Sequence, residues 1–253
     1  MVEDIRSHRY KNRILAALPK AEISRLAPHL APLNMPKGKP LINPDEESTY
    51  AYFLETGLAS VVIEMANGNT VETSVIGNEG LVGIPGVLGT KSSPTRTFIQ
   101  IPGAGYRIKT ARLQEEFERS GALRKLINRY VQAHLVQTAQ TAACNRLHDI
   151  EQRLARWLLI CHDRMESNTF TITHEFLGHM LGTPRSTVTL AAGILHKAGL
   201  LDYSRGKVDI RDREGLELAA CECYHTIRKE FDRLGISSSS PPPVFRLIPN
   251  RLS

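Results

Sequence analysis

The 253-residue chain is long enough for two ordinary domains, and its 42% apolar and 23% charged residues are those of a globular protein rather than a disordered or fibrous one. No apolar run approaches the ~20 residues that span a bilayer, and the acidic start Met-Val-Glu-Asp lacks a secretory apolar segment, so a cytoplasmic protein with no membrane partner is expected. The net charge of +6 is compatible with a polyanionic partner, and four cysteines, none before Cys144, make no disulfide framework.

The first elements read as two short helices, residues 12–18 and 21–26, broken at Pro19. From about Leu33 to Lys109 the texture turns to short β-rich runs separated by Gly, Pro and Asn, as in a small barrel or sandwich. The clearest signal is a hairpin of residues 58–65 and 70–76 around Ala66-Asn67-Gly68-Asn69, where Asn-Gly suits a tight two-residue turn. Further strands are expected over residues 49–54, 97–101 and 106–108.

Residues 121–147 then switch to a helical period, in a run of unusual length, and the stretch from Arg119 to His148 holds five Arg or Lys and no acid. One heptad stripe comprises Leu123, Leu126, Tyr130, Ala133, Gln137, Gln140, Cys144 and Leu147, and a second comprises Ile127, Val131, Leu135 and Ala142. Two apolar faces suggest burial against the β-domain on one side and a second copy of the chain on the other, the first stripe being assigned to the dimer seam. A long helix packed within a monomer fits the pattern too.

Residues 150–165 form another amphipathic helix, followed by the segment from Thr171 to Leu195, whose grammar is helix, tight turn, helix. Thr173 is placed to cap the first helix, Gly182 to make the turn, and Thr183 to cap the second with Pro184 at its first position. Val188, Ala191, Ala192 and Leu195 then face the core, leaving Arg185, Ser186, Thr187 and Thr189 at an exposed helix start suited to a major groove, with the two capping residues Thr173 and Thr183 also expected among the DNA contacts. A hairpin tipped by Arg205-Gly206-Lys207 follows, a basic wing for phosphates. Ser237 to Pro243 and the rest of 236–253 read as a flexible tail.

This order, with Asn145-Arg146-Leu147-His148-Asp149-Ile150-Glu151-Gln152-Arg153-Leu154 between the long helix and the helix-turn-helix, resembles the CRP/FNR family of bacterial regulators over residues 12–230. The resemblance implies an α+β chain: an N-terminal β-roll of the cyclic-nucleotide-binding, jelly-roll-like type (1–120), a long dimerisation helix (121–148) and a C-terminal winged helix-turn-helix (149–235). It further implies a homodimer binding double-stranded DNA at near-palindromic operators, a hinge at Asp149, contact with RNA polymerase, and Arg185 as a recognition-helix arginine. Ser186 and Leu190 depart from the family's base-reading residues, so its operator sequence does not carry over.

By the same likeness, Asn78, Glu79, Arg96, Thr97 and Thr138 fall at or near the ligand positions of cyclic-AMP-binding members. Asn78 stands where a glutamate belongs and Ala139 where a second hydroxyl belongs, which disfavours cyclic AMP and leaves the signal unidentified. No N-terminal cysteines exist for an iron–sulfur cluster. Cys221, Cys223 and His225 are close in sequence, yet on one helix Cys223 points away from the other two and no second ligand pair has zinc spacing. No metal site is therefore expected, and the cysteines read as packing. An enzyme using Cys144 or Cys161 has no supporting motif, whereas a cyclic-nucleotide module acting on a protein partner is the alternative that would leave the helix-turn-helix unexplained.

Overall fold

The computed structural model describes residues 10–119, 121–165 and 167–235; the tail expected at 236–253 lies outside them. Helices α1 (Arg13–Ala16) and α2 (Lys20–Leu26) open the chain. Asn12 caps α1 by accepting from the Leu15 N–H, while its amide donates to the carbonyls of Leu54 and Gly80, which pins α1 to the β-domain.

That domain consists of β1 (Ala31–Met35), β2 (Pro40–Ile42), β3 (Tyr50–Leu54), β4 (Leu58–Glu64), β5 (Thr70–Ile76), the short α3 (Ile84–Val87), β6 (Arg96–Ile101) and β7 (Gly103–Lys109). Two antiparallel sheets, ordered β2-β6-β4-β5 and β1-β7-β3, form the roll. The β4–β5 hairpin forms where expected but through a longer connection. Gly68 alone is left-handed (φ 80°), the Gly68 N–H donates to Met65 and the Met65 N–H to Asn69. A three-residue loop that ends on a left-handed glycine needs no positive φ at Asn67. Strands β1 and β2 escape the sequence because they are short and carry Pro, Asn and Leu with few β-branched residues.

Helix α4 (Thr110–Glu118) leads into α5 (Ala122–Leu147), 26 residues long. Here the expected seam is corrected. Leu123, Tyr130, Ala133, Gln137 and Cys144 are all buried inside their own protomer, with Leu126 and Gln140 half-buried beside them. The Gln137 amide, for example, donates to the Val75 carbonyl of β5 at 3.0 Å. The other stripe is the more open one beyond its first member: Ile127 is buried, Val131 is half-buried, Leu135 is 61% exposed and Ala142 is exposed, as are Ala139 beside them and Leu147 at the end of the first stripe. Periodicity reveals two apolar faces, but which one the roll covers depends on how α5 is rotated about its axis when it docks.

The C-terminal part comprises α6 (Ile150–His162), β8 (Thr169–Thr171), α7 (His174–Leu181), α8 (Arg185–Lys197), β9 (Leu201–Ser204), β10 (Lys207–Ile210), α9 (Arg213–Ala219) and α10 (Cys223–Arg233). Asp149 and Gln152 form a capping box that starts α6 just after α5 ends, so the chain turns at 148–149. A single continuous apolar core runs from Ile14 through the roll and α5 into α6, α7 and α8. The helix-turn-helix is thus folded against its own β-roll.

Candidate nucleic-acid interface

Thr173 caps α7 as expected, its hydroxyl accepting from the Phe176 N–H, and Gly182 makes the left-handed turn at φ 60°. A side chain there would strain the backbone, which is why glycine suits a helix–helix turn this tight. The second cap is corrected: Pro184, not Thr183, occupies the N-cap position of α8, which has no side-chain cap. Thr183 instead donates its N–H back to the Gly178 carbonyl to close the turn. The start of α8 therefore presents backbone N–H groups uncapped by any side chain, together with the positive end of a 13-residue helix.

Val188, Ala191, Ala192 and Leu195 are buried under α8, and its outer face shows Arg185, Ser186, Thr189, Leu190 and Ile194 to solvent, with Thr187 half-buried. Leu190 at 70% and Ile194 at 52% exposure are unusual for an exposed helix face and extend the Ser186 row by helical steps of four. His174, whose partners no sequence spacing announces, bonds the Thr189 hydroxyl at 2.9 Å through Nδ1 and stacks on Tyr203 with ring centres 4.0 Å apart. It thereby fixes β9 against α8. Desolvation, helped by the nearby Arg185 guanidinium, pulls the His174 pKa down, which favours a neutral ring in this clamp.

The wing is a three-stranded sheet ordered β8-β10-β9, with β8 an addition to the expected hairpin. Ser204 pairs with Lys207 across the Arg205-Gly206 turn, and Arg205 takes a positive φ of 49°. Arg205 and Lys207 are exposed at that tip. Arg185, Ser186, Thr189, Arg205 and Lys207 thus occupy exposed positions on elements braced to one another, whereas the Thr173 hydroxyl is committed to its cap.

Residues 152–219 match the family model of the Crp-like helix-turn-helix domain. The chain carries a Crp-like DNA-binding module. Its overall fold is that of the CRP/FNR regulators, a β-roll followed by a long helix and this module. FixK2 from Bradyrhizobium japonicum superposes with a TM-score of 0.65 at 18% identity, covering 76% of this chain and 98% of its own. A transcriptional regulator of the CRP/FNR family from Eubacterium rectale gives 0.63 at 18% identity, covering 80% and 94%, and one from Thermus thermophilus gives 0.61 at 16%, covering 75% and 98%. No curated protein matches the sequence.

The expected ligand residues of the roll are not brought together as a pocket. Glu79 is buried, accepts from the Gly77 N–H and pairs with Arg164 at 2.8 Å, so its charge is already matched. Arg96 is exposed on β6 with its guanidinium 5.9 Å from the Phe98 ring, and Thr97 is buried in the same strand. The Thr138 hydroxyl bonds the His134 carbonyl one turn back. Asn78 lines a cleft of about 390 Å³ between the roll and β8, with Gly57, Ile101, Arg164 and Phe170 among its walls.

Contacts between roll and module include several that the sequence did not reveal. Glu72 of β5, buried, accepts from the Trp157 indole of α6 at 2.6 Å and from Ser60. Burial pushes its carboxyl up to about 7. Met180 Sδ lies 3.3 Å from the Ser60 hydroxyl oxygen, and Phe176 meets Phe98 edge-on at 6.2 Å. Arg164 adds a bond to Gln137 at 3.0 Å. None of these pairs is local in sequence, so no spacing could have announced them.

Finally, Cys144 and His148 at the end of α5 meet Cys221 and Cys223 before and at the start of α10. The single helix expected over residues 221–225 is corrected. Helix α10 begins at Cys223 and Cys221 lies in the link before it, so the facing argument that dismissed this pair does not hold.

Proposed function

We propose that the chain is a sequence-specific, DNA-binding transcription regulator that acts as a homodimer on near-palindromic operators and contacts RNA polymerase once bound. The observation that carries this reading is the exposed, uncapped start of α8, bearing Arg185 and Ser186, braced through His174 to the basic wing. Helix N–H groups and Arg205 or Lys207 supply phosphate contacts, Arg185 supplies a bidentate donor for guanine, and the Leu190–Ile194 patch suits thymine methyl groups. The Val131, Leu135, Ala139, Ala142 face of α5 is the self-association surface in this reading, because it is apolar, continuous and open.

The signal acts in this scheme on the contacts that hold α7 and α6 to the roll, and the 390 Å³ cleft is where a small effector would touch both parts. Cyclic AMP is not that effector in our reading, since Glu79 is spent on Arg164. The test is selection of bound fragments from sheared genomic DNA at several salt concentrations, because salt separates phosphate attraction from base reading. A near-palindromic consensus is expected. Arg185→Ala should lose about 1–3 kcal/mol of discrimination at one base position, while Arg205→Ala should weaken all sequences alike. Sequence-blind binding by the parent and both variants would refute the proposal.

A further inference from the structure

Cys144, His148, Cys221 and Cys223 offer three sulfurs and one imidazole nitrogen, all within 4.8 Å of one another. Cys144 Sγ lies 3.4 Å from Cys221 Sγ, and Cys223 Sγ lies 3.6 Å from His148 Nδ1. Zinc–ligand bonds of about 2.0–2.3 Å in a tetrahedron require ligand atoms about 3.5–3.8 Å apart, so these two edges are near those of a mononuclear site and the others, all within 4.8 Å, need only a small contraction. An iron–sulfur cubane would need its sulfurs spread more widely than this. We propose that these four side chains bind one Zn²⁺ per chain and clasp the end of α5 to α10 across the hinge at Asp149.

Three further features fit an ion better than simple packing. The three cysteines form a cluster of their own, apart from the main apolar core, so their burial is not explained by that core. With Nδ1 turned toward the sulfurs, His148 directs Nε2 to the Glu222 carboxylate at 3.1 Å, the outer partner that orients metal-bound histidines. The Gln140 amide donates to Cys223 Sγ at 3.2 Å, a bond that stabilises a thiolate. Binding would displace the thiol protons to solvent, leaving a Cys₃His centre of net charge −1. Arg156, buried at 3% exposure, reaches the Thr141 hydroxyl at 3.4 Å, one turn before Cys144 on α5, and so places a cation on the side of that charge.

The two halves of the site stand 77 positions apart at the Cys144–Cys221 contact, and they belong to different parts of the fold. Cys144 and His148 flank the turn out of α5, while Cys221 and Cys223 fix the α9–α10 link. An ion held there would restrain the hinge that sets where α8 is presented, so metal loading is expected to alter DNA affinity as well as stability.

The full-length protein, purified under reductant without chelator, should carry about one zinc per chain by plasma mass spectrometry. After stripping, Co²⁺ alone should give the visible bands of a tetrahedral ion and sulfur-to-cobalt charge transfer. Cys221→Ser should reduce retained zinc at least tenfold, whereas Cys161→Ser, outside the cluster, should leave it unchanged. Because the cobalt spectrum is read on the natural sequence, the test survives a variant that fails to fold. Reduced protein that retains no zinc and shows only the weak spectrum of octahedral Co²⁺ overturns the proposal. So does a Cys144–Cys221 disulfide in air-oxidised protein whose reduced form binds no metal, since the cluster would then be a redox pair.

Discussion

Replacing Glu72 by Gln tests whether a buried carboxyl couples the β-roll to the DNA-binding module. Glu72 sits on β5, almost without solvent contact, and binds Trp157 of α6. Burial outweighs the hydrogen bonds from Ser60 and Trp157 and the charge of Arg156, raising its pKa from 4.5 to about 7. Between those values the native state keeps a proton that the unfolded chain has lost, so this carboxyl's contribution to stability falls as pH rises through the window and levels off above it. At about 1.4 kcal/mol per pH unit, the loss amounts to about 3 kcal/mol.

Glutamine keeps an acceptor for the indole and carries no charge, so the stability difference between Glu72→Gln and the parent should grow through that window, while the opposite contribution of buried His134, held down to about 4, is common to both proteins and cancels. The chain has one tryptophan, so urea titrations followed by fluorescence report this very contact. At about pH 5 the two proteins should differ little, and at about pH 8 the variant should be the more stable by up to ~3 kcal/mol. Parallel stability curves from pH 5 to 8 would mean that Glu72 is already ionised in the folded state and matched by Arg156, and the burial argument would fail.

Arg164→Met leaves the Glu79 carboxylate buried without its partner and should cost about 3–5 kcal/mol in denaturant unfolding, a loss that a surface ion pair would not produce. Leu135→Asp, on the open face of α5, should convert a dimer to a monomer in sedimentation with little change in the far-ultraviolet spectrum; an unaltered sedimentation coefficient would remove that face from the interface. Thr173→Ala should lose about 1 kcal/mol through its cap, and Thr183→Ala should lose much less because its side chain caps nothing, with thermal unfolding as the readout.

Elements whose signals are local were legible in the sequence. The β4–β5 hairpin, the 26-residue α5, the Gly182 turn, the buried row Val188, Ala191, Ala192 and Leu195, and the wing tip follow from turn chemistry and periodicity over a few residues. Such features are set by backbone sterics and by which faces are apolar, and both are written into short segments. The resemblance to CRP/FNR proteins rests on the order of those same segments.

What tertiary structure decided are the relations between segments. Rotation of α5 about its axis determined that Tyr130 and Gln137 face the roll and Leu135 faces outward, a choice that two apolar stripes leave open. Docking of α6 onto β5 buried Glu72 against Trp157, and Arg164 claimed Glu79, so a residue suited to a ligand became half of an internal ion pair. The sulfur cluster is the clearest case. Cys144 and Cys221 meet only because α10 packs along the end of α5, and a contact between residues so far apart in the chain is fixed by long-range packing rather than by any spacing along it.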